Sequence, residues 1–153
     1  MARPFNRVLL IIGVLLGTIT GTAVAELSTG QLVYVPIYSH IYSGNKERPL
    51  LLAATLSLRN TDPRQAITLL SVDYYDSDGK LLKHYLESPV PLKPAQSTRF
   101  VVKFSDKAGG SGANFYVTWK AEGPVNPPII ESIMIGTQNQ LGISFTSRGQ
   151  VIE

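Results

Sequence analysis

The sequence predicts an all-β protein, a sandwich of about seven to eight strands, and three observations predict it. Short segments rich in β-branched and aromatic residues recur along 26–153, separated by Gly, Pro, Asn and Asp clusters. Within several of them apolar and polar residues alternate, the mark of a strand with one face on a core. No segment shows a helical period. A small closed barrel is the alternative architecture.

The elements follow in chain order. Leu32 to Tyr38 (LVYVPIY) is apolar on both faces and contains Pro36; a proline cannot donate to a ladder, so this strand belongs at an edge or switches between sheets. Leu52, Ala54, Leu56 and Leu58 alternate with Ala53, Thr55, Ser57 and Arg59, and the run stops at the turn Asn60-Thr61-Asp62-Pro63. Ile67 to Tyr75 is next, with Leu70, Val72 and Tyr74 expected on one face. It closes through Asp76-Ser77-Asp78-Gly79, where Gly79 can take positive φ, onto a return strand from Leu81 to Leu86.

Pro89, Pro91 and Pro94 make the next link extended. Thr98, Phe100, Val102 and Phe104 form another inward face. After the loop Ala108 to Ala113, Phe115, Val117 and Trp119 point inward, and Asn114, Tyr116, Thr118 and Lys120 outward. Gly123 to Pro128 is read as a connection, Ile129 to Ile135 as a strand and Ile143 to Thr146 as a short last one.

Before this domain stand Arg3 and Arg7, an apolar stretch from Val8 to about Ile19, and the small-x-small site Ala23-Val24-Ala25. That is the tripartite form of a signal peptide, so the expected organisation is a leader over 1–25, cleaved after Ala25, and one β-sandwich domain over 26–153. The alternative is retention of the segment as an anchor. Export implies a periplasmic or extracellular location.

Removing two arginines and no acid takes the formal charge from +3 to about +1. A near-neutral domain with interspersed charges has no electrostatic footprint for nucleic acid. The chain has no cysteine, which excludes disulfides, thiolate catalysis and thiolate metal sites and favours a bacterial envelope protein over a disulfide-stapled animal module.

The order of signals, with a strand ending in an Asn turn, a strand closing on YYDSDG, and NFYVTW, resembles immunoglobulin-like envelope domains. Trp119 is then expected to pack on aliphatic residues such as Leu56 and Val72. The strings YVPIYSHIY, LRNTDP, GGSGANFYVTW, PVNPPIIESIMIGT and GISFTSRG are similar to the bacterial family known as domain of unknown function 3124, from about Gln31 to Val151. This resemblance implies an exported bacterial protein and brings no functional residues with it.

No catalytic, cofactor or metal motif stands out. Asp76-Ser77-Asp78-Gly79 opens like a calcium loop but lacks the third alternate ligand and the later Glu. Gly109 to Gly112 lacks the Lys-Ser/Thr of a phosphate loop and leads into a strand, so it reads as a mobile connection. His40 follows Ser39 directly, and the two point to opposite faces of a strand; His84 reads as a surface or cross-strand residue.

Tyr34, Tyr38 and Tyr42 recur every four residues and, with Tyr116, could form an aromatic platform. Arg148 could pair with a partner's carboxylate. The candidate partner-binding residues are therefore Tyr38, His40, Tyr42, Asn114, Tyr116 and Arg148. The leading functional expectation is a non-catalytic envelope binding or adaptor module for a protein or glycan. A small-ligand carrier with an internal pocket is the second. The third is an enzyme using Asp73, Asp76 or Glu131, of which Glu131 is expected to point inward between Ile129 and Ile133.

Overall fold

The computed structural model describes residues 26–45, 47–138 and 141–153. The leader expected over 1–25 lies outside them. Strands β1 (Ser28–Pro36), β5 (Ile67–Tyr75), β6 (Leu81–His84), β7 (Val90–Leu92), β9 (Asn114–Val125) and β12 (Gln150–Val151) form one sheet in the order β12-β1-β9-β5-β6, with β7 also paired to β5. Strands β4 (Ala53–Arg59), β8 (Ser97–Val102), β10 (Ile129–Gln138) and β11 (Leu141–Arg148) form a second, ordered β11-β10-β4-β8, and β2 (His40–Ser43) pairs with β3 (Arg48–Leu51) as a ribbon. Neither large sheet closes on itself, so the protein is a β-sandwich.

The pairs β4–β8 and β5–β9 repeat the B–E and C–F pairs of an immunoglobulin sandwich. The flanking strands are exchanged. Strand β1 pairs with β9, where the last immunoglobulin strand would lie, and β10 pairs with β4, where the first would lie.

The core lies between the sheets. Trp119, Tyr74, Phe115, Leu56, Leu58, Val72 and Met134 are all buried there, so Trp119 does share its surroundings with Leu56 and Val72. Burying each such side chain contributes about 1.5–3 kcal/mol before entropy is counted. Strand β5 departs from simple alternation. Its pairing with β9 slips between Leu69 and Ser71, so Ile67 and Leu69 are buried on the same side as Val72 and Tyr74 while Leu70 is only half-buried. The inward placement expected for Leu70 is thereby corrected, because a bulge adds one residue and flips everything before it.

Other boundaries move for similar reasons. Strand β1 ends at Pro36 instead of running to Tyr38, β9 continues through Gly123 and Pro124 to Val125, and β11 spans eight residues instead of a short Ile143–Thr146 piece. Phe104 lies past the end of β8 and is 40% exposed, not inward. Strands β2 and β3 pair with Tyr42 opposite Pro49, which places His40 on a strand as expected.

Two polar knots fix the ends of the sandwich. At one end the buried Asn60 donates from Nδ2 to the carbonyls of Gln65, Leu92 and Lys93 and accepts from Asp62 N–H on Oδ1. Asp62 in turn accepts from the Arg64, Gln65 and Asn126 amides at 2.9–3.1 Å. These amides hold its carboxyl below the usual range.

At the other end the glycine loop is tied down, which corrects the expectation of a mobile connection. Ser77 Oγ donates to Gly109 O and accepts from Gly112 N–H, Ser39 N–H donates to Gly110 O, and the Ser77 amide also donates to Gly109 O. Gly110 has φ +78, a conformation only glycine takes without strain. At Gly109 a Cβ would collide with the Tyr74 hydroxyl and Ser39 Oγ.

Candidate functional site

On the outer face of the larger sheet, period-2 alternation brings one line of side chains into register. Gln150 of β12 faces Tyr34 of β1, Tyr34 faces Tyr116 of β9, Tyr116 faces Asp73 of β5, and Asp73 faces His84 of β6. A second row alongside it pairs Asn114 with Tyr75, and a third pairs Leu32 with Thr118 and Thr118 with Ser71. Tyr116 and Asp73 of the first row and the members of the other two line an open groove of about 460 Å³.

Tyr116 is the centre of the aromatic part. Its ring lies 5.5 Å from Tyr34 at 72° and 5.3 Å from Tyr75 at 82°, both edge-to-face contacts. Desolvation and the neighbouring Tyr116 and Tyr38 phenols raise the Tyr34 pKa above its ordinary value. Asp73 Oδ1 meets His84 Nδ1 at 2.7 Å, so the cross-strand role read for His84 is the one it fills. Asn114 is 8% exposed and its Oδ1 has no hydrogen-bond partner, a costly state for a buried acceptor.

The structure distributes the candidate residues over four places. Asn114 and Tyr116 line the groove. His40 and Tyr42 stand on the β2–β3 ribbon, their rings 5.2 Å apart and Nε2 3.3 Å from the phenol oxygen, in a smaller hollow with Pro49, Leu51 and Lys107. Tyr38 packs edge-to-face on Phe145 at 5.6 Å. Arg148 lies opposite Glu131 on the outer face of the second sheet. Tyr34, Tyr38 and Tyr42 do not share a face, since β1 ends at Pro36 and the chain leaves the sheet before Tyr42.

Glu131 does not point inward. Ile130, Ser132 and Met134 are buried, and Glu131 shares the outer face with Ile129 and Ile135, 3.9 Å from Arg59. The alternation was read one residue out of phase because isoleucines occupy both faces of β10. Asp76 is consumed by its turn, where Oδ1 accepts from the Asp78 and Lys80 amides, while Gly79 takes φ +79.

Tyr75, Ser71 and Thr118 are not among the candidate residues, and Asp73 is one only as a carboxylate of the enzyme reading. Their signal was present, since Asp73 and Tyr75 alternate with the inward Val72 and Tyr74, but an outward aspartate next to a turn looks like ordinary surface.

The fold and its groove define an all-β sandwich protein with an aromatic and polar concavity on one outer sheet face. The chain belongs to the family described as "Protein of unknown function (DUF3124)", whose model matches residues 30–152. No curated protein matches the sequence. Among solved structures it is similar to "Crystal Structure of Thermotoga maritima 1070", at 12% identity and a TM-score of 0.47 over 78% of this chain and 92% of that one.

Proposed function

We propose that this protein acts after export, in the periplasm or outside the cell, as a non-catalytic binding module that holds a glycan in the groove around Tyr116. The observation that carries the reading is the Tyr34–Tyr116–Tyr75 cluster beside Asp73 and Asn114 on one exposed sheet face. Sugar rings present C–H faces that stack on aromatic side chains and hydroxyls that need fixed polar partners, and the groove supplies both. An internal pocket fits less well, because Trp119, Tyr74, Phe115 and Leu56 fill the space between the sheets. The leader over 1–25 supports export.

The test is calorimetric titration of the mature domain with soluble envelope-type oligosaccharides, repeated with Tyr116→Ala and Tyr75→Ala. Binding that disappears in both variants while their unfolding remains cooperative is the expected result. Absence of binding to every sugar, or binding that ignores both substitutions, would overturn the reading.

A further inference from the structure

We infer that the sugar held in the groove carries a protonated amine, so that the ligand class is a free amino sugar in preference to a neutral or acetylated one. This rests on the glycan reading and adds a charge to it. The groove lining includes Asp73, Tyr75, Asn114, Tyr116 and Thr118. It holds one carboxylate and two phenol rings and no lysine or arginine.

The lysines on neighbouring positions do not line the groove. Lys83 stacks over the Tyr85 ring at 4.2 Å, and Lys120 stands in the register row of Gly30 and Thr68, beyond Thr118. The His84 contact engages Oδ1 of Asp73 alone. Tyrosine faces attract ammonium groups through their quadrupole, and a nearby carboxylate adds direct charge complementarity. An acetylated amine brings one N–H and no charge, so it loses most of this advantage. The mature chain has a formal charge near +1, so long-range attraction of a cation does not account for the preference.

The experiment compares a fully deacetylated glucosamine tetramer with the fully N-acetylated tetramer, at a pH near 6 where the amines are protonated, by titration calorimetry and by NMR shifts at Asn114 and Tyr116. The expected result is about a tenfold preference for the free amine, equivalent to about 1.4 kcal/mol. In Asp73→Asn that preference should fall towards parity with the N-acetylated tetramer still bound. Equal or tighter binding of the N-acetylated tetramer, or an unchanged preference in Asp73→Asn, overturns the charge assignment and leaves the glycan site standing. If neither tetramer nor any other oligosaccharide binds, both the inference and the glycan reading fall.

Discussion

The hydroxyls of Ser39 and Tyr74 lie 3.0 Å apart inside the protein, 35 residues distant in sequence, under the backbone of Gly109. Each is the other's buried partner. Removing one leaves the other desolvated and unpaired, which costs about 1–3 kcal/mol, whereas removing both leaves neither orphaned. Ser39→Ala and Tyr74→Phe should therefore each lower stability by that amount, with the double variant costing clearly less than their sum. Urea unfolding followed by the emission of the single tryptophan, Trp119, measures the cycle; strict additivity would show that the two hydroxyls are uncoupled.

Gly109→Ala tests the same corner from the loop side. The added methyl meets the Tyr74 hydroxyl, Ser39 Oγ and the Ala113 methyl, and overpacking of this kind costs about 1–3 kcal/mol. Combining it with Tyr74→Phe removes one of the three obstacles, so the methyl should be better tolerated there than in the parent.

The acid end of the stability curve should belong largely to Asp62. Its carboxyl is depressed by the Arg64, Gln65 and Asn126 amides, so the unfolded chain binds its proton at higher pH than the folded one. The stabilisation is present above the ordinary carboxylate pKa and is lost as pH falls through the lower folded value. Asp62→Asn should melt earlier than the parent at pH 7, and the difference should shrink below about pH 4. A constant difference across that range would place the effect elsewhere.

That knot also shows what the sequence can and cannot reveal. Asn60-Thr61-Asp62-Pro63 is legible as a turn because Asn and Asp fold back on their own backbone; that Asn60 also reaches Leu92 and Lys93 is a long-range event with no local trace. The inward faces of β4 and β9 were legible because alternation there is unbroken. On β5 the bulge at Leu70 and on β10 the isoleucines of both faces erased the phase, and with it the positions of Leu70 and Glu131. In the groove, Tyr116 and Asn114 could be read as outward, but their meeting with Asp73 and Tyr75 depends on which strands pair.

At the alkaline end Tyr85 should dominate. Burial, the Tyr74 phenol and Asp106 push its pKa up to about 12, while its hydroxyl donates to Val101 O at 3.2 Å. A raised phenol pKa stabilises the fold fully below the unfolded value near 10, and that contribution is lost between about pH 10 and 12. Tyr85→Phe should flatten the loss of stability over that interval, as seen in melting temperatures taken at stepwise pH; an unchanged slope would assign the alkaline limb to other tyrosines.

Glu131→Gln separates the enzyme reading from the surface reading. Glu131, its side chain 19% exposed, meets Arg59, 55% exposed, at the long distance of 3.9 Å, and partly exposed surface pairs of this kind contribute about 0–1 kcal/mol. The variant should therefore fold with nearly unchanged stability and bind groove ligands as the parent does, since Glu131 and the groove lie on the outer faces of opposite sheets. A loss of several kcal/mol would mean that the carboxylate is held in the interior after all, and a loss of ligand binding would mean that the two outer faces act together.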